Sequence, residues 1–289
     1  MNIDTNKLMS NAILKRYESL QQGIEGGQPD SLDGLFQYVK AAIDGHPEFI
    51  TKLKREDFDR VLAGFIDRKL FTYKDIGIRD ISSLYRETGT KNPSIILMSE
   101  RVGHYWMLKK MAADFDITYA CDGEKPGTLT MEYFSEELKA AGVDFESEIP
   151  TILTITGYTP TSFAANTRRM ELFKKYTGAK EVQTLSLVDL SLFSDKVVSD
   201  SRVKAIRFHK TSGGKPQLIK MHRDDTVKKL EEVHKWWKNL GDQKDRLISK
   251  EKVNEKWEYT IWKVDADALP WEDIEQKYQS VMEKLISGE

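Results

Sequence analysis

Glu100 closes a short apolar run, Ser94-Ile95-Ile96-Leu97-Met98-Ser99. An acid there can ligate a metal at the mouth of a sheet. It can equally be a solvated carboxylate or a favourable charge at a helix N-terminus. A second acid, Asp122, follows Ile117–Cys121 and opens the turn Asp122-Gly123-Glu124-Lys125-Pro126-Gly127-Thr128. Gly123, Lys125, Gly127 and Thr128 could cradle a phosphate at the start of the next helix. The alternative is a tight turn in which the glycines supply only backbone freedom. Arg168 and Arg169 stand one turn into a later helix, as contacts for DNA phosphates or, the favoured reading, as surface charges. Lys228, Lys229, Lys235 and Lys238 share a predicted helix with His234, Trp236 and Trp237. Rings beside cations can stack on unpaired bases, whereas adjacent tryptophans more often divide between a core and its rim. The five histidines show no metal-ligand spacing, and neither a Ser/His/Asp arrangement nor a phosphate-loop signature is present. The single cysteine, Cys121, excludes an internal disulfide framework and a cysteine-based zinc site.

Those residues depend on the elements that carry them. Leu8 to Leu20 suits a short helix, and Gly23, Gly26, Gly27 and Pro29 read as a linker. Ser31 can cap a helix with Leu32, Leu35, Phe36, Val39, Ala42 and Ile43 on one face. Phe58, Val61, Leu62, Phe65 and Ile66 mark a second helix, and Leu70 to Asp80 reads as a short strand or wing. From Pro93 strands alternate with helices: strands at Ser94–Met98, Ile117–Cys121, Thr151–Thr156 and Glu181–Val188, with helices at Val102–Phe115, Thr128–Ala141 and Ser162–Tyr176. Such alternation indicates a mainly parallel sheet with ligands at the carboxyl ends of its strands. Beyond Asp200, Arg202–Phe208 and Pro216–Lys220 can pair across Thr211–Gly214. A basic helix at Thr226–Leu240, a strand at Trp257–Val264 and a final helix from Pro270 follow.

The 289 residues, 39% hydrophobic and 31% charged, are enough for one large or two modest domains. The expected division is an extension and linker at 1–30, a helical or winged-helix-like domain at 31–92, and an α/β domain at 93–289. No run is long and apolar enough for a membrane span, and the opening residues are too polar for a signal peptide. The expectation is a cytoplasmic protein without a membrane partner, nucleoid-associated if it holds DNA. The net charge is −2, but residues 202–256 carry sixteen Lys/Arg against eight Asp/Glu, about +8. The rest of the chain is therefore near −10 by difference. A basic segment on an acidic chain suits a local phosphate-binding surface, and equally suits solvated helix faces.

Four strings, in order, resemble the topoisomerase VI A subunit and its meiotic double-strand-break relatives. They are Asp57-Phe58-Asp59-Arg60 through Ile78-Arg79-Asp80, Ile95 to Arg101, Cys121 to Thr130, and Asp265 to Pro270. The resemblance spans about residues 31–286. It implies a helical, winged-helix-like DNA-binding domain with a nucleophilic tyrosine, followed by a Toprim-like domain that binds Mg2+ through a glutamate at Glu100. It also implies DNA, a second copy of the chain and an ATPase B-type subunit as partners.

Two departures accompany it. Where the family carries two aspartates after its third strand, this chain has Gly157 and Thr159. Where the family carries its tyrosine, this chain has Phe36 and Gln37, with Tyr38 one residue beyond. One helical residue is a rotation of about 100°; a register shifted by one would return Tyr38 to the nucleophile position. The expectation is a DNA-binding protein of this type with degenerate catalytic motifs and no required cofactor. The alternatives are an interaction scaffold that lost DNA binding, or a Mg2+-dependent DNA-cleaving enzyme using Glu100 with Asp122 or Asp189.

Overall fold

Alternating apolar strands and amphipathic helices do build a layered α/β structure. The computed structural model describes residues 5–24, 29–43, 53–122, 127–157, 160–188, 204–210, 216–221, 248–253, 256–263, 266 and 269–288. The chain divides into two units, Met1–Ile81 and Ser82–Glu289.

The first unit is helical. Helix α1 (Thr5–Gln21) buries Met9, Ala12, Ile13 and Arg16, a stripe at i, i+3, i+4 and i+7. Helix α2 (Leu32–Ala42) starts at Ser31, whose Oγ accepts the Gly34 N–H at 3.1 Å, satisfying one of the open donors of the first turn. Helix α3 (Arg55–Asp67) buries Phe58, Leu62, Phe65 and Ile66. Phe36 meets Phe58 with ring centroids 5.2 Å apart, and Tyr17 stacks on Phe71 at 5.0 Å.

The strand or wing expected over 70–80 is not formed. Thr72 and Asp75 cap one another instead: Thr72 N–H donates to Asp75 Oδ2 at 2.8 Å, and Asp75 N–H donates to Thr72 Oγ1 at 3.1 Å. Gly77 then turns the chain at φ 76°, and Ile78 N–H donates to the Tyr73 carbonyl at 3.0 Å. Local side-chain bonds of this kind compete with a ladder, and the buried Phe71, Tyr73, Ile76 and Ile78 do not keep a strand's period of two.

The second unit holds a five-stranded sheet in the order β1-β3-β2-β4-β5. Its strands are β1 (Arg86–Glu87), β2 (Asn92–Ser99), β3 (Ile117–Cys121), β4 (Thr151–Ile155) and β5 (Gln183–Ser186). β2, β3, β4 and β5 are parallel; only the two-residue β1 is antiparallel, on the edge of β3. Every residue of β3 and β4 is buried, as expected of a parallel sheet covered on both faces. One face packs Leu97, Tyr119, Leu153 and Ile155 against α4 (Tyr105–Phe115) and the terminal helix α7 (Trp271–Ser287). The other packs Ile96, Met98, Ala120 and Ile152 against α5 (Thr128–Ala140) and α6 (Pro160–Thr177). Arg86 ties the edge strand down through Glu137 of α5, with both bonds at 2.7 Å.

Residues 204–263 add a separate antiparallel sheet in the order β7-β6-β9-β8. Its strands are β6 (Lys204–Lys210), β7 (Pro216–Met221), β8 (Ile248–Val253) and β9 (Lys256–Lys263). The expected pairing of β6 with β7 is present. The basic helix expected at 226–240 lies outside the described residues. No helix among the described residues is long and apolar enough to cross a membrane.

Candidate functional site

After β2 the chain passes to β3 on one side, then crosses to β4 on the other. Strand order reverses there, and open α/β sheets bind ligands outside the carboxyl ends of such strands. Ser99 is in register with Cys121 of β3 and with Ile155 of β4. Glu100, Asp122 and Thr156-Gly157 therefore leave the sheet side by side, and Asp122 N–H still donates to the Ser99 carbonyl at 3.3 Å.

Helix α6 turns three polar residues toward this mouth: Ser162, Asn166 and Arg169, at i, i+4 and i+7. Ser162 Oγ donates to Glu100 Oε1 at 2.8 Å, and Gly157 N–H donates to the same carboxylate. Arg169 donates from Nε and Nη2 to the two oxygens of Asp122 at 2.6 and 2.8 Å, and from Nη1 to Asn166 Oδ1 at 3.3 Å. The Arg169 and Asp122 side chains are 0% and 2% exposed. Beside them Ser99 Oγ lies 2.7 Å from His104 Nδ1 and accepts Arg101 N–H at 3.2 Å.

Burial sets the electrostatics. It pushes the Glu100 carboxyl above its ordinary range, against the Ser162 hydrogen bond and the charge of Arg169. Burial pushes Asp122 up as well, while Arg169 pulls it back by charge and by hydrogen bonds. The Cys121 thiol is pushed up to about 12 by burial and by the neighbouring Asp122.

Several expectations are revised by these contacts. Arg169 is not a surface charge: it is buried and ion-paired with Asp122. Arg168, its neighbour, is exposed. Glu100 is buried, with 7% exposure, so it is not a solvated carboxylate. In α2 Phe36 packs into the core, Gln37 is exposed and Tyr38 is half-buried, with the Arg16 guanidinium 5.9 Å from its ring centroid. Gly127 is the N-cap residue of α5 and Thr128 its first residue. Gly123, Lys125, Thr159, Asp189, Lys228, Lys229, Lys235 and Lys238 lie outside the described residues.

The described side chains at the strand ends do not by themselves fit magnesium. It takes hard oxygen ligands, usually one or two carboxylates. Here both Asp122 oxygens already accept from a guanidinium, and Glu100 accepts from Ser162 and Gly157. Among the described residues no group of three His, Cys, Asp or Glu side chains is placed to hold a metal ion. Sequence reasoning missed Ser162 and Asn166 altogether. Their helical spacing with Arg169, just after an apolar strand, was the available signal. No family model, no curated protein and no solved structure matched the chain.

Proposed function

We propose that the chain is a DNA-binding protein of the topoisomerase VI A-like type whose strand-end carboxylates serve structure instead of strand cleavage. The observation that carries this reading is the buried Arg169–Asp122 pair beside Glu100. Metal-assisted phosphodiester chemistry needs carboxylates free to hold a cation against the reacting oxygens. Here the counter-charge is a guanidinium covalently fixed in α6. Covalent cleavage needs an activated nucleophile as well, and the tyrosine positions carry a packed Phe36 and an exposed Gln37.

DNA binding rests on the basic segment. The four adjacent strands of the antiparallel sheet carry Lys204, Arg207, Lys210, Lys220, Lys250, Lys252, Lys256 and Lys263, against Glu251 and Glu258. An excess of cations binds phosphates independently of sequence, with an affinity that falls steeply with salt. Fluorescence anisotropy of a labelled duplex, titrated at several salt concentrations, tests the reading. A log–log slope of about −4 or steeper is expected, equivalent to about four or more neutralised phosphates. No binding even at about 50 mM salt would instead favour the interaction scaffold, a reading suited to the acidic remainder of the chain.

A further inference from the structure

Three arginines are buried among the described residues: Arg16 at 3% exposure, Arg86 at 8% and Arg169 at 0%. A guanidinium presents Nε–H and Nη2–H along one edge, a fork that matches two oxygens of a carboxylate or phosphate. Arg86 fills that edge with both Glu137 oxygens, at 2.7 Å each. Arg169 fills it with both Asp122 oxygens, at 2.6 and 2.8 Å. In Arg16 the same two atoms, Nε and Nη2, are buried and have no hydrogen-bond partner among the described residues.

Arg16 also sits where folding asks for an apolar side chain. It is the fourth member of the buried stripe Met9, Ala12, Ile13 and Arg16 that α1 turns inward. Two buried guanidinium N–H donors without acceptors are costly features for a small helical unit to carry. Its ring neighbour Tyr38 supplies only a cation–π contact at 5.9 Å, which leaves the in-plane N–H donors open. A ligand that brings two oxygens answers both facts. We infer that Arg16 is the anchor of a binding site for a small oxyanion in the N-terminal unit. The phosphate or carboxylate group accepts from Nε and Nη2 as Glu137 and Asp122 do at the other two forks. This site is independent of the DNA contact proposed for residues 204–263.

The test is thermal unfolding of the full chain, with inorganic phosphate or acetate varied at constant ionic strength made up with chloride. Wild type is compared with Arg16→Met, which keeps the stem and removes the fork, and with Arg16→Lys, which keeps the charge alone. A ligand that binds only the folded state raises Tm by about 3 °C for each tenfold increase above its dissociation constant. That rise is expected in wild type and lost in both variants, whereas general salt stabilisation moves all three proteins together. The arm that responds identifies the group, phosphate or carboxylate. Arg16→Met is further expected to melt no lower than wild type when the oxyanion is left out. Equal slopes for wild type and Arg16→Met, with the variant melting lower in every buffer, would mean the fork is filled from within the chain and would overturn the inference.

Discussion

Replacing Arg169 by methionine leaves the Asp122 carboxylate 2% exposed with no cation beside it. Two charge-assisted hydrogen bonds, at 2.6 and 2.8 Å, disappear together, and Glu100 loses the stronger of the two charges, Arg169 and Arg101, that favour its ionised form. Removing one partner of a buried pair costs about 3–5 kcal/mol, chiefly because the other charge is stranded. For a unit of this size each kcal/mol lowers Tm by about 2–4 °C, so a fall of about 6–20 °C is expected. Circular-dichroism melting at neutral pH measures it. The double variant Arg169→Met/Asp122→Leu removes both charges and should recover most of the loss, since apolar replacement of a whole pair is often neutral. The deficit of the single variant should also depend on pH. Without Arg169, the folded-state value of Asp122 rises further above its unfolded value. The deficit is then full above the folded value and shrinks as pH falls toward the unfolded value. A fall in Tm under about 2 °C, or a double variant no better than the single, would refute the claim that this pair holds the strand ends together.

Two further outcomes follow from the same mouth. Burial raises the Glu100 carboxyl above its ordinary value, so its contribution favours the folded state below that ordinary value and is lost as pH rises through the raised one. Glu100→Gln, which keeps an acceptor for Ser162, should remove that slope and melt no lower than wild type at neutral pH; a variant that melts lower there while keeping the slope would contradict this. Cys121 is 2% exposed and its thiol is pushed up to about 12, so a thiol reagent at neutral pH should label it only as fast as the protein opens. Rapid labelling of the native protein would show that the end of β3 is not closed as described.

The amphipathic helices and apolar strands were legible because burial writes its period into the sequence. The strands around Ile96, Tyr119 and Leu153 were legible as short continuous apolar runs, and Ser31 as a cap from its place just before an apolar helix face. Residues 70–80 were not legible, because Thr72 and Asp75 bond each other and spend on a turn the apolar residues that suggested a strand. β1 is too short at two residues to show any pattern, and β8 alternates charges where apolar residues usually mark a strand. The acids of the mouth were visible as residues that end apolar runs. Their partner was not, because Arg169 reaches Asp122 across 47 positions of chain. Only the facing of α6 over the strand ends brings the two together. An arginine one turn after an asparagine and two turns after a serine looks like surface until the sheet beneath it is known.

The most direct test of the proposed function uses supercoiled plasmid at low salt, with and without magnesium, read for both mobility and topology. A shift in mobility with no nicking or relaxation under either condition is the expected result. It should be unchanged in Glu100→Ala and weakened when lysines of the basic strands, such as Lys250 and Lys252, are neutralised. Magnesium-dependent nicking that disappears in Glu100→Ala would contradict it, because the carboxylate held by Ser162 and Gly157 would then be serving the cleavage chemistry assigned away from it.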